Sequence, residues 1–242
     1  MHAIVTTNLT KHYQKLTAVD ALNLQIPQGE LFSLLGINGA GKTTAIKMLT
    51  GLTAPTSGDA FLGGYSITKE PQQAKQLIGV SPQETAVAPN LTAEENLSLI
   101  CGIYGFAMQE TKDKIHALSA QLGLGPILQQ KAGTLSGGWQ RRLSIAMALI
   151  SQPQILFLDE PSLGLDVVAR RELWKMILDL KGRITIILTT HYLEEAEALS
   201  DRIGIMKSGK LLAIGTAQAL CEQTGVKDFE SAFIAIVQEE AR

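Results

Sequence analysis

Apolar and polar positions alternate early in the chain. Leu22, Leu24 and Ile26 are separated by polar residues, the period of two that predicts a half-buried strand, and Pro27-Gln28-Gly29 then predicts a turn. Glu30 to Leu35 is a short apolar run, predicting a buried strand, and a glycine-rich turn leads into a helical pattern over Thr43 to Leu52. Pro55-Thr56-Ser57-Gly58 and Gly63-Gly64 punctuate two further short strands, and Ile78 to Val80 predicts another, ending ahead of Pro82-Gln83.

From Asn90 to Ile150 the period becomes helical. Thr92-Ala93-Glu94-Glu95 is a capping-box pattern, in which the Thr92 hydroxyl takes an exposed amide and Glu95 reaches back. Ile115, Leu118 and Leu122 share a face that Gly123 ends. Leu143, Ala146, Met147 and Ile150 form another stripe, closed by Pro153. Strand and helix then alternate. Ile155 to Leu158 and Ile184 to Thr189 predict strands, and Val167 to Lys181 and Leu193 to Leu199 predict helices. Ile203 to Met206 and Leu211 to Ile214 flank a Lys207-Ser208-Gly209-Lys210 hairpin, and Asp228 to Glu240 is amphipathic. The expected architecture is an α/β core, residues 1–83 and 144–215, interrupted by a helical insert, 84–143, and followed by a helical tail, 216–242.

Composition narrows the class. The chain has 242 residues, of which 45% are hydrophobic and only 18% charged, with a net charge of −2. It is too apolar to be disordered, and it lacks the basic excess of a general nucleic-acid binder. Size scaling expects roughly 10,500 Å² of folded surface. Leu99 to Met108, the longest nearly unbroken apolar run, is about half of the roughly 20 residues a membrane span needs and reads as a core helix. No basic segment leads into an apolar stretch at the N-terminus, so no signal peptide is expected. Cys101 and Cys221 fit no motif and are expected as buried thiols in a reducing compartment. His2, His12 and His116 have no ligand spacing, so no structural metal is expected.

The chemistry begins at Gly36-Ile37-Asn38-Gly39-Ala40-Gly41-Lys42-Thr43, which fits the phosphate-loop pattern between a strand and a helix. Its glycines let backbone N–H groups converge on phosphate oxygens at a helix start; Lys42 adds a compact positive charge and Thr43 a hydroxyl for Mg²⁺. Ile155 to Leu158 ends in Asp159-Glu160, two carboxylates at the strand end where ligands of parallel sheets gather. There Asp159 is placed to hold Mg²⁺ and Glu160 to deprotonate an attacking water. No N-K-x-D sequence, the guanine-reading motif, is present. Leu135-Ser136-Gly137-Gly138 opens another helix, a second anion-facing start in the same chain.

Taken together, these motifs resemble the ATP-binding cassette family, the nucleotide-binding subunits of transporters, over nearly the whole chain. Gly36 to Thr43 resembles the family's phosphate loop, Gln83 its glutamine loop, Leu135 to Gly138 its signature, and Ile155 to Glu160 its second nucleotide motif. Ser162-Leu163-Gly164-Leu165-Asp166 resembles the loop that crosses to the partner, and His191 the switch histidine. Tyr13 resembles the aromatic that stacks on adenine. The resemblance implies a P-loop NTPase core with a mixed sheet and an inserted helical subdomain. It implies ATP and Mg²⁺ as cofactors. ATP would contact Tyr13, Gly36, Asn38, Gly39, Ala40, Gly41, Lys42, Thr43 and Thr44 of one subunit, and Ser136, Gly137, Gly138 and Asp166 of the other. Mg²⁺ would lie at Thr43, Gln83 and Asp159, and Glu160, His191 and Gln83 would carry hydrolysis.

The implied partners are a second cassette subunit, meeting head to tail, and separate transmembrane permease subunits; no nucleic acid is expected. The implied location is peripheral, on the cytoplasmic face of the cell membrane. Thr189 to Glu197 and the tail resemble the branch serving drug, polysaccharide and haem exporters. Trp139 departs from the family, which usually has Gln after the signature glycines; packing on the partner or an adjacent loop is the expectation there. The alternative is a non-transport cassette ATPase of DNA repair or translation, against which the net charge of −2 argues.

Overall fold

The computed structural model describes residues 1–239, so Glu240 of the amphipathic tail lies outside the described residues. The chain runs through β1 (His2–Tyr13), β2 (Leu16–Pro27), β3 (Leu31–Leu35), α1 (Lys42–Leu49), β4 (Ser57–Leu62), β5 (Tyr65–Ser66), α2 (Pro71–Gln76) and β6 (Ile78–Ser81). Next come α3 (Ala93–Ile103), α4 (Met108–Leu122), two short 3₁₀ turns and α5 (Gly137–Leu149). It closes with β7 (Ile155–Asp159), α6 (Val167–Leu180), β8 (Thr185–Thr190), α7 (Leu193–Leu199), β9 (Arg202–Lys207), β10 (Lys210–Gly215), α8 (Ala217–Thr224) and α9 (Phe229–Glu239).

Two sheets form. One is antiparallel, in the order β2-β1-β4-β5. The other runs β10-β9-β3-β8-β7-β6, parallel except for the β10 edge. Strands of the second sheet are covered on both faces, which is why β3, β7 and β8 are buried at every position. The period of two sorts their side chains. Ile155, Phe157, Ile187, Phe32 and Leu34 face α1 and the antiparallel sheet. Leu156, Leu158, Ile186 and Leu188 face the helical layer of α3 to α6. A third cluster joins Leu35, Ile203 and Ile205 to α7, α8 and α9.

Some expectations needed correction. β1 is a full strand, not singled out from the apolar pattern, because polar residues and register shifts interrupt it. The Thr6 hydroxyl hides inside this sheet by donating to the Leu22 carbonyl at 2.8 Å and accepting from the Leu24 amide at 2.7 Å. The run Leu99–Met108 is not a core helix. α3 stops at Ile103, and although Leu97 and Cys101 are buried, Leu99, Ile103, Tyr104 and Met108 are exposed, Ile103 by 72%. α1 ends at Leu49 instead of Leu52, because Gly51 turns the chain at φ 68°. Cys101 is buried as expected, but Cys221 is only partly so.

Candidate nucleotide site

Strand register brings the chemistry to one edge. Leu35 pairs with Thr190, and Asp159 with Thr189, so Gly36, Glu160 and His191 leave three adjacent strands at the same level. Ser81 pairs with Leu158, which brings Gln83 to that edge as well. The result is a cleft of about 730 Å³, lined by Tyr13, Asn38 to Thr44, Gln83, Glu160 and His191, among others.

The phosphate loop is built by close backbone approach. A Cβ on Gly36 would lie 2.3 Å from the Met206 carbonyl oxygen, and Gly41, at φ 102°, would press one to 2.3 Å from the Ala18 oxygen. Gly41 caps α1 with no side-chain bond, so the first amides of the helix remain open to an anion. Lys42 is buried, and its Nζ donates to the carbonyl of Gly36 at 2.7 Å and of Ile37 at 3.3 Å.

Glu160 joins the two halves of the site. Its Oε1 lies 3.2 Å from Lys42 Nζ and its Oε2 lies 2.7 Å from His191 Nδ1. The carboxylate accepts, so Nδ1 carries the hydrogen in this pair. Glu160 has φ 48°, a left-handed conformation that costs a non-glycine residue about 1–3 kcal/mol. Thr189 compensates: the Glu160 amide donates to the Thr189 carbonyl at 3.1 Å and to its Oγ1 at 3.0 Å. The same Thr189 hydroxyl donates to Asp159 Oδ1 at 2.5 Å, and Thr43 Oγ1 donates to that oxygen at 3.1 Å. Thr43 and Asp159 thus bring hard oxygen atoms side by side, a donor set that suits Mg²⁺; Thr43 and Gln83 line the cleft, whereas Asp159 is buried and does not.

Other sequence-predicted residues lie elsewhere. Ser136, Gly137, Gly138 and Asp166 do not line the cleft. Ser136 caps α5 and is exposed, and its hydroxyl makes no capping bond, so both the hydroxyl and the first amides of α5 face outward. The signature packs on the start of α6, where a Cβ on Gly138 would meet Ala169 Cβ at 3.0 Å. Asp166 Oδ1 caps α6, accepting from the amides of Val168 and Ala169, both at 2.9 Å. Trp139 packs against the core of its own chain, with the Arg142 guanidinium 4.8 Å above its ring and Arg142 paired to Glu172 of α6 at 2.7 Å.

Several contributors were not picked out from the sequence. Leu16, Thr17 and Ala18 of the first hairpin and Ser208 of the last also line the cleft. Arg141 is 4% exposed and donates to the Pro82 carbonyl at 2.5 Å and to the Gln83 carbonyl, tying the signature helix to the glutamine segment. Burial lowers its pKa, and the charges of Asp159 and Glu195 oppose that shift.

Comparison with known proteins agrees with this geometry. Residues 19–163 match the family model described as ABC transporter. The chain is 42% identical over 219 residues to the linearmycin resistance ATP-binding protein LnrL of Bacillus subtilis (strain 168), covering 90% of this chain and 70% of that one. Other curated relatives are much longer: the chain spans 42% of one from Escherichia coli (strain K12) and 9% of one from Homo sapiens. A solved ATP-binding subunit of an ABC transporter superposes with a TM-score of 0.85 at 27% identity, covering 97% of this chain and 99% of that one. The ATP-binding cassette MJ0796, solved as a dimer in a post-hydrolysis state bound to ADP and Pi, gives 0.78 at 27% identity, covering 88% and 98%. With its phosphate loop, paired carboxylates and separate signature helix on this fold, the chain belongs to the ABC transporter family, as one of its ATP-binding, ATP-hydrolysing proteins.

Proposed function

We propose that the chain drives export through separate membrane subunits by closing on ATP together with a second cassette. One observation carries this reading: the cleft holds Lys42, Glu160 and His191, but the second anion-facing helix start, Ser136–Gly138, lies outside it. A second copy turned head to tail would bring its Ser136–Gly138 to this cleft, and the dimeric cassette that superposes on the chain supports that arrangement. ATP then favours the closed pair by binding it more tightly than the open one.

Within the cleft, Tyr13, 44% exposed at the end of β1, takes the base, and the amides of Asn38 to Thr44 take the phosphates. The phosphates draw Lys42 from Glu160 by their larger negative charge, which frees the carboxylate to accept a proton from the attacking water. Its oxygen bonds to the terminal phosphorus as the bond to ADP breaks. His191 holds the phosphate and Glu160 in register, and Gln83 reports the phosphate to the helical insert. Thr43, Asp159 and Gln83 would hold Mg²⁺, which would supply Lewis-acid neutralisation of the phosphate oxygens.

We place the nucleotide-binding core at 1–83 and 144–215, the signature subdomain at 84–143 and the tail at 216–242. The membrane subunits dock where Leu99, Ile103, Tyr104 and Met108 are exposed, beside a groove of about 380 Å³ lined by Val80, Pro82, Ile100 and Ile103. Among the described residues no helix is long and apolar enough to cross a membrane, and the proposed attachment is peripheral, on the cytoplasmic face. The name of LnrL, a resistance protein, supports export. Calorimetric titration with Mg-ATP tests the site: Lys42→Ala abolishes binding, and retained tight binding contradicts the assignment.

A further inference from the structure

Behind His191 lies a buried acidic group that the hydrolytic reading leaves without a role. Glu195, one turn into α7, is fully buried. Its Oε1 accepts from Trp174 Nε1 of α6 at 2.9 Å, but its Oε2 has no hydrogen-bond partner. Ser162, which opens the segment crossing toward the partner, also has a buried hydroxyl without a partner, and so does Arg170 Nε. Arg170 lies over the rings of Trp174, at 5.5 Å, and Tyr192, at 5.9 Å. Unpaired buried polar atoms each cost about 1–3 kcal/mol, so three around one corner mark a constraint other than packing.

We propose that Glu195 is a positioning residue for hydrolysis: its buried carboxyl, hydrogen-bonded to Trp174 of α6 and lying near Ser162 and Thr190, packs α6 and the Ser162–Asp166 segment against the end of β8, and so holds His191 against Glu160. The placement fits this role. Thr190, whose hydroxyl biases Glu195, immediately precedes His191, and Ser162 lies two residues after Glu160. Movement of the partner-facing segment is thereby felt at the histidine. The inference rests on the assignment of Glu160 and His191 to hydrolysis.

Burial pushes the pKa of Glu195 up; the Thr190 and Ser162 hydroxyls and the Trp174 N–H oppose this, and the charge of Glu160 adds to it. The charged groups that act on it are Glu160 after β7 and Arg141 of α5; nearby, Arg170 of α6 pairs with Glu194 of α7 at 3.6 Å and His191 with Glu160 at 2.7 Å. A protonated carboxyl accepts from Trp174 on one oxygen and leaves no charge on the unpartnered other. The ionised form loses that proton and repels Glu160.

The test is steady-state ATP hydrolysis by the full chain across pH, with Mg-ATP affinity measured on each variant. Glu195→Ala lowers kcat by between about tenfold and a hundredfold, the scale of a misplaced reacting group, and leaves KM within about twofold. Glu195→Gln, a neutral isostere, recovers most of the lost kcat and removes the decline that wild type shows as pH rises and Glu195 ionises. Trp174→Phe removes a donor that favours the charged form, so it moves that decline to higher pH. If Glu195→Gln is as slow as Glu195→Ala, if both match wild type, or if Trp174→Phe moves the decline to lower pH, the inference is overturned. Should Glu195→Ala fail to bind Mg-ATP, the Gln and Phe variants decide. Glu160→Gln in parallel separates the two levels: if it still hydrolyses ATP, the assignment of the site itself is wrong.

Discussion

At the residue scale, the site depends on Thr189 as much as on the carboxylates it supports. Thr189 is fully buried, and its hydroxyl serves both Asp159 and the strained amide of Glu160. Thr189→Val keeps the shape and removes both bonds. It is expected to destabilise the chain by about 1–3 kcal/mol, read as a lower denaturant midpoint. Glu195 gives a pH signature. Its native pKa is raised above the unfolded value of 4.5, so the neutral native form contributes stability that is full below pH 4.5 and is lost as pH rises through the native pKa. The melting temperature of wild type therefore falls relative to that of Glu195→Gln over that window, and parallel curves would contradict the assignment. That Lys42, Glu160 and His191 come together was legible in the sequence because their motifs have fixed spacing. Thr189, Arg141 and Glu195 were not, since their roles arise only from strand register and helix packing.

At the element scale, side-chain caps open α3, α6 and α8. The expected box at α3 is present: Glu95 N–H donates to Thr92 Oγ1 at 3.1 Å, and Thr92 N–H donates to Glu95 Oε2 at 2.7 Å. Thr92→Ala should cost about 1 kcal/mol, measured by chemical denaturation. Gly36→Ala drives a methyl group into the Met206 carbonyl and should cost more, about 1–3 kcal/mol, along with nucleotide affinity. Strands of the parallel sheet were legible because burial on both faces leaves unbroken apolar runs. β1 was not, because Thr6 and Thr10 stand where the core expects apolar side chains and meet their hydrogen bonds inside the sheet. The end of α3 misled for the opposite reason: an apolar run was read as core, although Ile103 and Met108 face solvent.

At the scale of the whole molecule, the accessible surface is 11850 Å², larger than the roughly 10,500 Å² expected for a chain of this mass. Exposed large apolar side chains are spread over it, Leu16, Leu52, Phe61, Tyr65, Leu178 and Ile234 among them, and two further groups lie near the site. Leu99, Ile103, Tyr104 and Met108 cluster beside the Gln83 segment, and Ile37, Leu163, Val167 and Val168 lie by the phosphate loop and the start of α6. In the proposed function, the first group meets membrane subunits and the second a second cassette. Ile103→Glu should leave the melting temperature unchanged and reduce recovery of membrane subunits in affinity purification from native membranes. The central claim is that this chain holds half of an ATP site. Light scattering of Glu160→Gln after size exclusion, with and without ATP, tests it most directly. A dimer that forms only with ATP and carries two nucleotides is the expected result; a species that stays monomeric at saturating ATP would contradict it.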